Sequence, residues 1–293
     1  MPAPPTILIT GATDGIGQLA ALALARRGAR LVLTARSQTK ADQTRAAILA
    51  AAPATPIDVH YVDFSDLSAV AATGRAIARQ HPRIDVLINN AGLHAFRQRV
   101  GKDGYAEMIA VNYFAPWLLT HVLQATLLRS APSRIVTVGS QASRQSGGLA
   151  IAADLCDVAP FSARGSSRIY GRSKLLDIMF SLELARRLGG TGVAANCLCP
   201  GFNVTGLGRE LGFARPLARL LHGLDIGNPQ RGADGIVRLA IDPAFGSQTG
   251  AYVTANARPL APWGPANSDA ARRHLWDATA KILSRFIAPA PAN

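Results

Sequence analysis

Short, nearly uninterrupted apolar runs alternate along the chain with longer stretches in which apolar residues recur every three to four positions. The runs "TILIT" (Thr6–Thr10), "RLVLTA" (Arg30–Ala35), "IDVHYV" (Ile57–Val62), "IDVLINNAG" (Ile84–Gly92), "RIVTVGS" (Arg134–Ser140) and "GVAANCLCPG" (Gly192–Gly201) predict strands, with a short last one near Ala251–Thr254. Helices are expected over Gly15–Arg27, from the second strand to about Ala52, over Asp66–Gln80, from about Gly104 to Arg129, up to Leu188, over Pro229–Ala240 and over Ser268–Phe286. Pro116 falls inside the fourth of these and predicts a bend, because proline supplies no N–H to the preceding turn. Ser268 is placed to cap the last helix. Strands without polar alternation are covered on both faces. The pattern therefore predicts a single doubly wound α/β (Rossmann) domain: a parallel sheet of about seven strands with helices on either side. No repeat or linker divides the 293 residues, so 1–293 read as one domain. Residues 202–228 are less regular, carry five glycines and are expected to form a substrate-side flap; 287–293 read as a mobile tail.

The stretch "TGATDGIG" joins the first strand to the first helix, with glycines at Gly11, Gly15 and Gly17. Glycine allows a tight turn and close backbone approach to a ligand, and the helix N-terminus behind it favours an anion. In a strand–loop–helix setting this predicts a pyrophosphate-binding turn for a dinucleotide. The second strand ends in "TARS". Ala35 supplies no carboxylate for a ribose 2′-hydroxyl, and Arg36 can fork onto a 2′-phosphate, so NADP(H) is favoured over NAD(H). Asp14 adds negative charge near the phosphates and works against that preference. Asp63, after the third strand, either receives an adenine amino group or caps the next helix.

"SSRIYGRSKLLDIMF" (Ser166–Phe180) places Tyr170, Ser173, Lys174 and Asp177 on one helical stripe, and Leu175, Ile178, Met179 and Leu182 on another that can face the sheet. Tyr170 and Lys174 are thus expected as neighbours off the main buried face. An ammonium beside a phenol favours the phenolate, lowering its pKa from about 10 toward neutrality and fitting it for proton transfer with an alcohol or carbonyl. Ser140, at the end of the fifth strand, either donates a hydrogen bond to a substrate oxygen or merely starts a loop. Asn112 either joins the site or bonds to backbone within its helix.

In this order and setting the residues resemble the short-chain dehydrogenases/reductases, from Thr6 to about Phe286. "TGATDGIG" is similar to the family's cofactor turn and "NNAG" (Asn89–Gly92) to its motif after the fourth strand. Asn112, Ser140, Tyr170 and Lys174 are similar to its catalytic tetrad, and "CPG" with Thr205 to its segment beside the nicotinamide. The run from Tyr170 to Gly201 and the terminal "HLWDATAKIL" resemble the retinol-dehydrogenase-like and WW-domain-oxidoreductase-like branch. The resemblance implies hydride transfer between nicotinamide and an apolar alcohol, aldehyde or ketone. Tyr170 would move the proton, Ser140 polarise the substrate oxygen, Lys174 hold the ribose and lower the tyrosine pKa, and Asn112 position a water. Cofactor contacts are implied at Gly11, Thr13, Asp14, Gly15, Ile16, Gly17, Arg36, Asp63, Phe64, Asn90, Ala91, Gly92, Tyr170, Lys174, Pro200, Gly201 and Thr205. Assembly as a homo-dimer or tetramer is a further implication.

Composition narrows the rivals. The formal charge of +13 comes from arginines scattered among alanines, with no aromatic-interleaved basic patch, so a nucleic-acid partner is not expected. Neither a membrane-spanning run nor a secretion signal is expected. Cys156, Cys197 and Cys199 have no metal-ligand spacing and predict no disulfide, in keeping with a cytoplasmic protein. No metal is expected. The alternative to an enzyme is a nucleotide-sensing regulator that keeps the fold without the chemistry. Phe161, Phe202, Leu207, Leu211, Phe213 and Leu217 are candidates for an apolar pocket wall or for ordinary core.

Overall fold

The computed structural model describes residues 3–201 and 228–287. Seven strands, β1 (Thr6–Ile9), β2 (Arg30–Ala35), β3 (Ile57–Tyr61), β4 (Val86–Asn89), β5 (Ser133–Val138), β6 (Val193–Cys199) and β7 (Tyr252–Thr254), form one sheet in the order β3-β2-β1-β4-β5-β6-β7. Every pairing is parallel, and Leu8 of β1 lies between Val32 and Leu87. The expected architecture is thereby observed.

Alternate strand residues go to opposite faces. Leu8, Val32, Leu87 and Ile135 pack beneath α3 (Leu67–Gln80), α5 (Ala115–Arg129), α7 (Ala163–Arg187) and α9 (Asp269–Ile287). Ile7, Ile9, Leu31, Ile88 and Val136 pack beneath α1 (Gly15–Ala25), α2 (Gln38–Ala51) and α8 (Pro229–Ile241). Ile7, Leu8 and Ile9 are completely enclosed. At about 1.5–3 kcal/mol per enclosed side chain, such two-sided burial explains why the central strands carry no polar alternation, whereas the edge strand β3 does.

The long helix departs from expectation. It begins as α4 (Glu107–Ile109), passes through a π turn (Ala110–Phe114) and continues as α5, with Pro116 in the first turn of α5. The irregularity therefore precedes the proline and is centred on Asn112. Pro116 has no N–H to offer the Asn112 carbonyl four residues earlier, and the wider turn accommodates that loss. A short α6 (Ile151–Cys156) lies in the β5–α7 connection. Ser268 caps α9 as expected, its Oγ accepting from the Ala271 N–H at 3.2 Å. The 202–228 flap lies outside the described residues except for Asn228, which caps α8 by accepting from Gln230 N–H at 2.9 Å; of the 287–293 tail only Ile287 is described.

Among the described residues, no helix is long and apolar enough to cross a membrane, and no group of three His, Cys, Asp or Glu side chains is arranged to hold a metal. Cys156, Cys197 and Cys199 are free thiols.

Candidate active site

The chain leaves β3 for β4 by crossing to the other side of β1, so β1 and β4 are neighbours whose connections run in opposite directions. A crevice opens at the carboxyl ends of strands at such a reversal. The candidate residues converge there from the ends of β1, β4, β5 and β6.

Tight contacts weld the turn after β1 to the turn after β4. Thr10 Oγ1 accepts from the N–H groups of Asn90 (2.9 Å) and Ala91 (3.0 Å), and Asn90 Nδ2 donates to the carbonyls of Thr10 (2.9 Å) and Gly11 (3.1 Å). Gly11 has a φ of +65°, and a Cβ there would lie 2.8 Å from Ala91 Cα. A Cβ on Gly17 would strike the Asn90 amide and lie 2.5 Å from the Gly11 carbonyl oxygen. Both positions need glycine because two backbones meet. Asn90 thus props the turn, a supporting role beyond the cofactor contact that the resemblance implies for it.

A dinucleotide fits what remains open. Asp14, the first residue outside α1, is extended and makes no side-chain cap, and no acidic residue occupies the first helical turn. Unpaired N–H groups at a helix N-terminus form an anion site, here bordered by the half-buried Thr13, Gly15 and Ile16. The Asp14 carboxylate is countered by Lys40, whose Nζ donates to Oδ2 at 2.9 Å. The objection that Asp14 would repel phosphate is reduced accordingly. Arg36 is exposed at the end of β2 and makes no hydrogen bond or ion pair among the described residues. Asp63 does not cap α3: Asp66 does, accepting from Ala69 N–H at 2.9 Å, while Asp63 Oδ1 accepts from Ser65 N–H (2.9 Å) and Oγ–H (2.8 Å). The Phe64 ring packs on the core, leaving its backbone as the part able to meet a ligand.

On the opposite wall, Ser140 is extended at the start of a 3₁₀ turn (Gln141–Gln145). Its Oγ accepts from Ala142 N–H at 3.1 Å and lies near enough to the Tyr170 phenol to favour its ionised form. It starts a loop and faces the candidate proton donor at once. Ser143 is buried within that turn. Lys174 Nζ donates to the Val138 carbonyl at 2.9 Å and to Asp177 Oδ2 at 2.8 Å. The Asn112 amide is used on three sides: Nδ2 donates to the Leu93 carbonyl and to Ser173 Oγ, both at 2.9 Å, and Oδ1 accepts from Leu93 N–H at 2.8 Å. It clamps the β4 loop to α7. Gly92 adjoins both groups, an added Cβ lying 3.4 Å from Asn112 Oδ1 and 3.6 Å from Lys174 Nζ. Gly201 turns the chain at the end of β6 with a φ of +80°, next to Pro200. Thr205, Phe202, Leu207, Leu211, Phe213 and Leu217 lie outside the described residues. Phe161 borders a small cavity with Ile109, Ile169 and Arg172.

Two expectations need correction. The Tyr170 stripe is not off the buried face: Ser173, Lys174 and Asp177 are as enclosed as Leu175 and Ile178, because α7 is wedged between β6, the π turn and α9. Nor is the resting phenol acidified overall. Burial pushes the Tyr170 pKa above its usual value; the Lys174 charge pulls down, the Asp177 and Cys199 charges push up, and the Ser140 hydroxyl pulls down. Burial works against the Lys174 ammonium, yet the charges of Asp177 and Tyr170 and the Asp177 hydrogen bond hold its pKa above the usual value. Burial pushes the Asp177 carboxyl up to about 6 despite Lys174.

Three residues of the site were not read from sequence. His94, in the loop after β4, stacks on Tyr170 with ring centroids 4.6 Å apart and planes at 13°; Phe96 stacks on its other side at 4.6 Å. Asp177 lay on the right stripe but was given no role. Gly171 lets α7 approach the 141–146 turn: a Cβ there would lie 2.5 Å from the Ala142 carbonyl oxygen and 3.0 Å from the Ser146 nitrogen.

A doubly wound parallel sheet with a glycine turn after its first strand, and a phenol beside an ammonium at the same crevice, is the arrangement of a dinucleotide-dependent oxidoreductase fold. The chain belongs to the short-chain dehydrogenase family, whose model matches residues 5–152, and within it is retinol-dehydrogenase-like. Retinol dehydrogenase 14 of Mus musculus is 35% identical over 286 residues, covering 93% of this chain and 84% of that protein. Dehydrogenase/reductase SDR family member 13 of Bos taurus is 34% identical over 279 residues, covering 94% and 72%. Among solved structures, an uncharacterized protein from Mycobacterium paratuberculosis superposes with a TM-score of 0.72 at 27% identity, covering 96% of this chain and 94% of that one. A structure described as an NAD(P)-dependent gluconate 5-dehydrogenase from Beutenbergia cavernae, with NADP bound at low occupancy, superposes with a TM-score of 0.68 at 25% identity, covering 86% and 95%.

Proposed function

We propose that the protein is an NADP(H)-dependent oxidoreductase acting on an apolar alcohol or carbonyl compound, with Tyr170 as proton donor and acceptor. The observation that carries this reading is the convergence of Ser140, Tyr170 and Lys174 on one crevice, opposite a turn suited to pyrophosphate. The NADP(H) preference rests on Arg36, exposed where β2 ends in Ala35 without a carboxylate. The Beutenbergia neighbour, described as NAD(P) dependent and holding NADP at low occupancy, is in keeping with a nicotinamide dinucleotide of either kind. The apolar substrate class rests on the names of the retinol dehydrogenase relatives.

A bound nicotinamide supplies or accepts hydride at the substrate carbon. The first-turn N–H groups of α1 would bind the pyrophosphate, and Lys174 would hold the ribose with the donor that Val138 and Asp177 do not use. Ser140 presents its O–H to the substrate oxygen while its lone pair is fixed by Ala142 N–H. Tyr170 holds its proton in the resting site, the form that donates to a carbonyl oxygen during reduction. Asn112 fixes the loop of Leu93 and His94 against α7, keeping Tyr170 in register with Ser140.

Oxidation of NADPH with a panel of apolar aldehydes and ketones tests the proposal. Turnover is expected, and Tyr170→Phe is expected to abolish it while cofactor still binds. A second reading, a nucleotide-sensing regulator, is favoured by one observation: Asp177 already neutralises Lys174 at rest. Tight NADPH binding without turnover across the panel would support that reading instead.

A further inference from the structure

Asp177 is a buried acid for which neither the fold nor the proposed chemistry accounts. Its side chain is 2% exposed, one oxygen binds Lys174 at 2.8 Å, and the other, Oδ1, is buried without a hydrogen-bond partner. An unsatisfied buried carboxylate oxygen is costly, and a well-packed apolar residue at the same place would leave the helix no worse packed. The ionisable groups around it come from three elements: Lys174 and Tyr170 on α7, Tyr113 on the π turn and Cys197 on β6. Burial raises the pKa values of both Tyr113 and Cys197, so both are neutral at physiological pH. The charged groups of the cluster are therefore Asp177 and Lys174, with Tyr170 the group whose ionisation would change its total.

We propose that Asp177 is a positioning residue for proton transfer: it fixes the Lys174 ammonium beneath the crevice and, by balancing its charge, keeps Tyr170 protonated until a substrate demands the proton. The proposal rests on the reading of Tyr170 as the proton-transfer group. A buried cluster favours zero net charge. With Asp177 ionised, the cluster is neutral when the phenol keeps its proton and carries one negative charge when the phenol loses it. With an uncharged residue at 177, the cluster carries one positive charge at rest and becomes neutral on losing a proton. The phenol should then ionise at lower pH, because a phenolate beside the Lys174 ammonium leaves the cluster neutral.

The test is an ultraviolet titration of phenolate in the cofactor-free protein, taken for each variant as the difference from the same protein carrying Tyr170→Phe. Asp177→Asn is expected to lower the Tyr170 midpoint by roughly 1–3 pH units, the range over which a close charge acts. An unchanged or raised midpoint would overturn the proposal. If Asp177→Asn does not fold, Lys174→Met compared with Lys174→Met/Asp177→Asn isolates the carboxylate without an unpaired ammonium. The double variant should ionise at lower pH than the single, and equal midpoints would refute the role. Because the readout needs no turnover, a shifted midpoint in a protein inactive toward every substrate would uphold the Asp177 role and count only against the enzyme reading. Turnover with an unmoved midpoint would do the reverse.

Discussion

The imidazole of His94 lies flat against the phenol of Tyr170, with centroids 4.6 Å apart and planes only 13° from parallel. His94 Nε2 is 3.1 Å from Ser166 Oγ, one helical turn before Tyr170 on α7. The loop after β4 therefore holds the phenol by its face while Ser140 meets its oxygen. Such a stack contributes about 0.5–1.5 kcal/mol beyond area burial. His94→Ala should lower kcat by roughly three- to tenfold with an apolar aldehyde, leaving the KM for NADPH nearly unchanged. His94→Phe keeps a ring on the face and should recover most of the loss. Steady-state kinetics of the two variants check this; equal losses would mean that the stack does not position Tyr170.

Gly171 gives a test of the opposite wall. The closest obstacle to a side chain at 171 is backbone, the Ala142 carbonyl, so α7 and the Ser140 turn would have to separate. Overpacking of this kind costs about 1–3 kcal/mol. Gly171→Ala should therefore lower the thermal midpoint and reduce turnover at least tenfold by parting Ser140 from Tyr170. NADPH affinity should be nearly unchanged, because the glycine turn after β1 is not touched. Thermal melts and fluorescence titration with NADPH separate the two effects.

The parts of the molecule legible in the sequence share one property: their signal is local. Ile7, Leu8 and Ile9 announce a two-sided strand because every position is apolar, and Gly11, Gly15 and Gly17 mark a turn by spacing alone. Asn112, Ser140, Tyr170 and Lys174 could be named because the family resemblance fixes their order. The rest depends on contacts between distant segments. "GLHAF" carries no mark of a ring that will lie on Tyr170, since the stack joins a loop to a helix 76 residues further on. Asp177 was visible on the Tyr170 stripe, but its burial comes from α9 and the π turn, which a one-dimensional pattern does not bring together. The same omission made Lys174 look like an unopposed cation and the phenol more acidic than it is at rest. Pro116 signalled an irregularity correctly but not its form, because a π turn ending two residues earlier, at Phe114, absorbs the missing hydrogen bond.

The proposed NADP(H) preference rests on Arg36. It is exposed beside the crevice, and its neighbour Ser37 is engaged as the α2 cap, accepting from Lys40 N–H at 3.5 Å. A guanidinium on a 2′-phosphate makes charge-assisted hydrogen bonds of about 1.5–3 kcal/mol. Arg36→Asp replaces that attraction with repulsion and should weaken NADPH by roughly ten- to a hundredfold while changing NADH by much less. Paired titrations of the wild type and the variant decide it; equal losses for both cofactors would remove the role given to Arg36.

At the far edge of the sheet, His60 of β3 and His81 after α3 meet edge to face with centroids 6.0 Å apart, next to Asp58 and Arg30. Burial holds both imidazoles below the ordinary value of 6.5; the His81 charge adds to the effect at His60, Arg30 adds to it at His81, and Asp58 opposes it at both. A depressed histidine pKa means that the unfolded chain binds the proton more readily than the folded one. Stability from these two groups is therefore complete above pH 6.5 and is lost as the pH falls through their lower folded-state values. Asp177 titrates in the other sense. Its carboxyl, raised to about 6 in the fold, contributes stability at low pH that is lost as the pH rises through 6, so it offsets part of the acid loss. A His60→Gln/His81→Gln variant keeps Asp177 and lacks the two imidazoles. In urea unfolding, the wild type should lose more stability than this variant between pH 7 and pH 5, and the difference should grow steadily as the pH falls. Parallel stability curves for the two proteins would show that the imidazoles are not held neutral by the fold.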